Sequence, residues 1–266
     1  MLSPSTRYGS VPRLDVRGVS VRFGGNMALD DASLSADEGR VTGLIGPNGA
    51  GKTTLFNVVT GLLPPTSGTV AIDGVDITRL NPYKRARRGL ARTFQRLELF
   101  GSLSARENIL VGIEAGRGRP DHGGVRRRQA EEILERVGLQ TVAERQANTL
   151  STGKARLVEL GRALATRPKL LLLDEPSSGL DQSETDTLGK LLTALAGEGM
   201  AVLLVEHDVE LVMRVCDQVY VLDFGQIITA GNPVEVQADP RVQLAYLGAD
   251  VGTEPPAPDS GAGLGG

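Results

Sequence analysis

The sequence predicts an α/β protein with a doubly wound core, an N-terminal antiparallel β layer and an inserted helical subdomain. Three observations carry this expectation. Short, wholly apolar runs are bounded by polar residues, stretches of helical periodicity lie between them, and residues from about 100 to 165 offer helices but no convincing strand. In chain order, residues 13–23 and 68–73 alternate apolar and polar positions with Gly and Asp as punctuation, which suggests antiparallel strands packed over the core's edge. Residues 40–45 (RVTGLI), 169–173 (KLLLL), 200–205 (MAVLLV) and 218–222 (QVYVL) are short continuous apolar runs, the pattern of strands buried on both faces. Residues 126–137 (RRRQAEEILERV) and 152–165 have helical spacing, and the charged, Gly-rich stretch 114–124 reads as a surface connection between helices. One domain is expected over residues 12–250, with the helical subdomain at about 100–165. A Pro- and Gly-rich tail over 251–266 has little to bury and is expected to be disordered.

Composition narrows the function classes. At 266 residues with 40% apolar content the chain can bury a substantial core, and a net charge of -3 argues against a generally nucleic-acid-coating surface. The one cysteine, Cys216, can form neither an internal disulfide nor a cysteine-rich metal site, which fits a reducing compartment. The opening MLSPSTRYGS has no apolar signal-peptide region, and no apolar run approaches the roughly 18 to 20 residues that span a bilayer. A membrane role is therefore expected only through partners.

Residues 46–53 read GPNGAGKT between a strand-like run and the helix-like TLFNVVTGLL, which is G-x-x-x-x-G-K-[ST] in its required strand-loop-helix context. Gly46, Pro47, Asn48, Gly49, Ala50 and Gly51 form the loop whose backbone N–H groups converge on phosphate oxygens, aided by the helix N-terminus. Lys52 neutralises the β and γ phosphates, Thr53 offers its hydroxyl to magnesium, and Thr54 continues the nucleotide contact. The chain has five lysines, so one at this position is informative.

The run LLLLDE ends in two acids. At the carboxyl end of a strand in such an architecture, Asp174 can hold magnesium, directly or through water, while Glu175 orients and deprotonates the attacking water. Gln95, in ARTFQ, can reach magnesium or that water through its amide, and His207, in LLVEHD, can donate to the γ phosphate. A lone Gln or His can equally be structural, and only geometry separates the readings.

Together these motifs resemble those of ABC-type ATPases, the nucleotide-binding subunits of ATP-binding cassette transporters, over about residues 14–248. GPNGAGKT is similar to the Walker A loop and LLLLDE to the Walker B strand. Gln95 matches the Q-loop, Ser178, Gly179, Leu180 and Asp181 the D-loop, and His207 the H-loop. The resemblance implies a P-loop NTPase core of ABC-ATPase type using Mg2+ with ATP. It also implies a head-to-tail pair, as a homodimer or with a paired paralogue, in which each ATP lies between one subunit's Walker A loop and the other's signature. By the same resemblance Phe23 stacks on adenine, a reading preferred to that of a core or edge aromatic because stacking requires only a π face.

Residues 91–112 and 205–236, with the ending AYLG, are similar to ATPases of branched-chain amino-acid importers. Urea or short-amide importers and lipopolysaccharide-export ATPases share parts of these stretches. The implied partners are transmembrane permease subunits and, indirectly, an extracytoplasmic substrate-binding protein, with no nucleic acid. The implied place is the cytoplasmic face of the membrane. Leu97, Leu99 and Phe100 either line a groove for a permease helix or pack the insertion. A soluble ABC ATPase acting as an assembly factor is the rival class, disfavoured by one compact cassette without coiled coil or cysteine cluster.

The place of the family signature, usually LSGGQ, is taken by LSTGK. Ser151 and Gly153 are retained, Thr152 replaces a glycine and Lys154 a glutamine. Ser151 reads locally as an N-cap, and in the family's arrangement as a donor to the opposing subunit's γ phosphate. The two roles are compatible.

Overall fold

The structure, a computed structural model, describes residues 11–117 and 124–247. The expected disordered tail lies outside the described residues, as does most of the end of the surface connection.

Two strands open the chain, β1 (Leu14–Phe23) and β2 (Asn26–Ala36), followed by β3 (Val41–Ile45), helix α1 (Lys52–Thr60), β4 (Ser67–Ile72) and the two-residue β5 (Val75–Asp76). Asn81 caps the short α2 (Pro82–Ala86), and β6 (Leu90–Arg92) follows. Three helices come next, α3 (Ala105–Arg117), α4 (Val125–Arg136) and α5 (Thr152–Ala165). The chain then alternates through β7 (Leu170–Asp174), α6 (Gln182–Gly197), β8 (Ala201–Val205), α7 (Val209–Val215) and β9 (Gln218–Asp223). It closes with β10 (Gln226–Gly231), α8 (Pro233–Ala238) and α9 (Pro240–Leu247).

The strands form two sheets. One is antiparallel in the order β2-β1-β4-β5, and the other has the order β10-β9-β3-β8-β7-β6, parallel from β9 to β6 with β10 antiparallel at its edge. The period-2 alternation of side chains explains the continuous apolar runs. Leu171 and Leu173 of β7 and Val202 and Leu204 of β8 join a core with α3, α4, α5 and α6. Leu170, Leu172, Leu203 and Val205 face a second core with β1, β2, β4 and α1. The antiparallel layer thus covers a face of the central sheet, with α1 between them, rather than an edge as the alternation suggested.

Other differences have local causes. The periodicity of 126–137 is one residue out of step with α4, and α3 runs to Arg117, so the first part of the presumed surface connection is helical. β2 is absent from the reading of the sequence because its alternation is broken. Asp31 takes φ 53, and the β1–β2 pairing slips register three times. Helix α5 was legible to its ends. Ser151 caps it by accepting from Lys154 N–H, and eleven of its residues are buried, so it is an interior element.

Candidate functional site

The order β3-β8-β7-β6 in the parallel part of the sheet sets four strand ends side by side. From them emerge the loop 46–51, the pair Glu206–His207, the pair Asp174–Glu175 and the segment leading to Gln95. Residues far apart in sequence meet at one carboxyl edge, where α/β sheets bind ligands.

The loop is glycine-dependent for steric reasons. A Cβ on Gly46 (φ 154) would lie 2.0 Å from the Leu222 carbonyl oxygen, and one on Gly51 (φ 112) 2.6 Å from that of Ala28. Gly49 (φ 80) meets nothing, so its requirement is conformational. Pro47 accepts from the Ala50 N–H at 3.2 Å, while Asn48 and Gly49 are exposed. Gly51 starts α1 without a side-chain cap, in contrast to Asn81, Ser151, Asp181, Asp208 and Asn232 at other helices. The first N–H groups of α1 are therefore not claimed by a capping side chain. Lys52 Nζ donates to Gly46 O at 2.6 Å and Pro47 O at 2.9 Å. Burial lowers its pKa, opposed by the nearby Glu175 and Asp174 carboxylates. Thr53 is exposed and Thr54 half-buried at the head of the helix.

Asp174 is fully buried at the end of β7. Its Oδ2 accepts from Arg92 Nη2 at 2.9 Å, and Arg92 also donates to Asn57 Oδ1 of α1 at 2.6 Å. The guanidinium lies 4.8 Å from the Phe94 ring and 5.4 Å from the Phe56 ring. Desolvation raises the Asp174 pKa, and the Arg92 hydrogen bond and charge oppose it. Glu175 takes φ 50, and its Oε1 lies 3.2 Å from Gln95 Nε2 and 2.9 Å from His207 Nε2. The expected proton acceptor and its two expected polar neighbours thus form one cluster.

Ser151 caps α5 and Thr152, Gly153 and Lys154 begin it, with Thr152 and Gly153 lying against Gly179 and Leu180. A Cβ on Gly153 would stand 2.7 Å from Gly179 O, and one on Gly179 (φ 83) 2.9 Å from Thr152 Cγ2. Leu180 packs against the core, and Asp181 forms a capping box with Glu184 on α6. Phe23 stands at the end of β1, 53% exposed. Its hairpin partner β2 reaches the phosphate loop, since Ala28 O and Leu29 border Gly51. Leu97 and Leu99 line a cavity of about 230 Å³ with Leu150 and Ala155, Leu99 packs on the core, and the half-exposed Phe100 lies under Arg162.

Sequence reasoning missed several charged residues that hold this site. Arg92 is one. Arg156, one turn into α5, donates to the Phe94 carbonyl at 2.6 Å and to that of Gln95, while Glu159 accepts from Phe94 N–H at 3.3 Å. Glu206 is the fourth, buried beside His207. The available signal was a charge at an apolar-register position in or beside a buried element.

Residues 29–178 match the family profile described as ABC transporter, and residues 226–252 that described as branched-chain amino acid ATP-binding cassette transporter. The chain is 41% identical over 252 residues to the high-affinity branched-chain amino acid transport ATP-binding protein BraF of Pseudomonas aeruginosa, covering 90% of this chain and 99% of the relative. Over the same shares it is 39% identical to the corresponding protein LivG of Escherichia coli K12. The lipopolysaccharide export system ATP-binding protein LptB of Escherichia coli K12 is 34% identical over 238 residues, covering 89% and 98%. Among solved structures, a nucleotide-free ATP-binding cassette from an ABC transporter matches with a TM-score of 0.80 at 33% identity, over 89% of this chain and 99% of that one. A dimeric cassette in a post-hydrolysis state bound to ADP and Pi gives 0.76 at 28% identity, over 83% and 98%.

Proposed function

The chain belongs to the ABC transporter ATPase family, and from that premise we propose that it energises import of branched-chain amino acids through a membrane permease. It is an ATP hydrolase of the ABC type. The observation that carries the reading of its site is the strand order, which delivers the phosphate loop, Asp174–Glu175, His207 and Gln95 to one edge of the sheet. The match of residues 226–252 to the branched-chain transporter profile supports the substrate class over lipopolysaccharide export.

In this reading, Gly46 to Gly51 cradle the phosphates with their N–H groups, Lys52 leaves its two carbonyls to neutralise the β and γ phosphates, and Thr53 and Thr54 complete the contact. Phe23 supplies a stacking face for adenine. Thr53, Gln95 and Asp174 would hold Mg2+. Their hydroxyl, amide and carboxylate oxygens suit a hard cation, and among the described residues no cluster of three or more His, Cys, Asp or Glu offers an alternative. Bound there, the ion neutralises charge on the phosphates. Glu175 orients a water in line with the γ phosphate and takes its proton, and His207 donates to the phosphate oxygens. Ser151, Thr152, Gly153 and Lys154 face the nucleotide of a second ATPase subunit, supported by the packing of Thr152 and Gly153 on Gly179 and Leu180, with Ser178 and Asp181 on either side of that pair. Nucleotide then bridges the pair, and loss of the γ phosphate releases it.

Among the described residues no helix is long and apolar enough to cross a membrane. By the likeness to the branched-chain amino acid transport ATP-binding proteins, permease subunits anchor the chain at the cytoplasmic face, with the cavity beside Leu97 and Leu99 as the docking place, and an extracytoplasmic binding protein supplies the amino acid. Purification of the tagged chain from native membranes tests this. Permeases and a binding protein should be recovered, and vesicles carrying the complex should accumulate labelled leucine, isoleucine or valine with ATP. Recovery without any membrane protein would favour a soluble ATPase, and uptake of none of the three amino acids would remove the substrate assignment.

A further inference from the structure

Glu206 is 3% exposed, carries an ionisable group, and has no place in the hydrolytic scheme above. It follows β8, whose neighbour β7 ends at Asp174 opposite Val205. One carboxylate oxygen accepts from Ser177 N–H at 2.8 Å and the other from His207 N–H at 3.1 Å. The loops leaving two adjacent strands are therefore joined through a single side chain. A buried carboxylate is costly unless its oxygens are occupied, and burial does push the Glu206 pKa up. The Ser177 and His207 donors, with the Ser177 hydroxyl and the Asp208 N–H, act in the opposite direction.

The residues so joined lie beside the other polar contacts of these two loops. Ser177 lies between Glu175, held at φ 50, and Gly179, whose carbonyl abuts Gly153 at the start of α5. Glu175 N–H donates to Val205 O at 2.9 Å, and Ser178 and Leu180 N–H close the turn on the Glu175 and Ser177 carbonyls. His207 is 2.9 Å from Glu175 through its ring, yet its side chain is 45% exposed and its backbone leaves the sheet there. We propose that Glu206 is a positioning residue that sets the Glu175–His207 contact and, through Ser177, the seat of Gly179 against the signature segment. The proposal rests on the reading of Glu175 and His207 as hydrolytic groups. A glutamine would fill the same space but could not accept from both loops with separate oxygens, because it presents one oxygen and one NH2.

The test uses the full chain and Glu206→Gln. Losing one hydrogen bond to a charged group corresponds to about tenfold or more in rate when it is felt in the transition state. The expected result is a kcat for ATP hydrolysis lowered about tenfold or more, with KM and the affinity for a fluorescent ATP analogue within about twofold of the parent. The His207 ring resonance, readable because the chain has two histidines, should move. An unchanged kcat overturns the proposal, as does a fall in kcat matched by a loss of nucleotide affinity and melting temperature, the mark of a merely structural residue. Should the variant fail to fold, hydrogen exchange in the parent decides. Slow exchange at the Ser177 and His207 amides is required, and fast exchange at either refutes the tie. If the parent hydrolyses no ATP, the hydrolytic reading fails, while the exchange measurement still reports on the Glu206 contacts themselves.

Discussion

Glu175 sits at φ 50, a backbone region that costs an L-residue about 1 to 2 kcal/mol, and is held there by its N–H bond to Val205 O and its side-chain contacts with Gln95 and His207. That backbone geometry holds the side chain against two convergent polar groups, the arrangement the proposed proton acceptor requires. Glu175→Gln keeps the size and backbone but cannot take a proton. It should bind ATP nearly as the parent does, release phosphate at about a hundredth of the rate or less, and elute as an ATP-stabilised dimer in size-exclusion chromatography. Undiminished steady-state phosphate release would sink the role. Lys52→Ala acts one step earlier. The buried ammonium that now satisfies Gly46 O and Pro47 O is removed, and nucleotide affinity in equilibrium titration should fall about tenfold or more. Unchanged affinity would count against the phosphate-loop reading.

Elements are fastened to one another here by charges as well as by apolar faces. Arg92 joins β6 to β7 through Asp174 and to α1 through Asn57, with both ion-pair partners almost wholly buried. Removing one member of such a pair leaves the other uncompensated, so Arg92→Met should lower unfolding free energy in urea by about 3 to 5 kcal/mol. A loss under about 1 kcal/mol would mean that Asp174 is relieved by protonation or solvent. The same distinction governs what the sequence discloses. Strands β3, β7, β8 and β9 were legible because burial on both faces writes them as continuous apolar runs, and α5 because its cap and periodicity agree. The phosphate loop was legible because its chemistry is local. β2, with its bulge, and β6, three residues long, leave no comparable pattern. Arg92, Arg156 and Glu206 look like surface charges until the fold supplies partners that lie 82, 62 and 29 positions away.

Across the whole molecule, three buried carboxyls, Glu159, Asp174 and Glu206, have pKa values raised above the ordinary carboxylate range, in each case chiefly by desolvation. The folded chain therefore holds more protons than the unfolded one between an unfolded pKa of about 4 and those raised values, and unfolding free energy falls as pH rises through that window. The cost is complete above it. Asp76, Glu107 and Asp239 have the opposite sign. Hydrogen bonds from Thr78, Ser104 and Arg241 lower their pKa values, so their contribution is present at neutral pH and is lost only as pH falls below the unfolded value. The contribution of these three does not change above the unfolded value, whereas the three raised groups, in the packed layer between the sheet, α5 and the strand ends, titrate there. The balance places maximum stability on the mildly acid side of neutrality. In nucleotide-free scans the melting temperature should rise as pH falls from neutrality through the window of the raised carboxyls, and drop below about pH 4, the unfolded carboxylate value. A melting temperature that climbs steadily as pH rises from the unfolded carboxylate value to neutrality would contradict the assignment of sign. Glu159→Gln supplies the internal control, because a neutral amide there removes one titrating group from the sum and should flatten the acid-side rise without moving the collapse below pH 4.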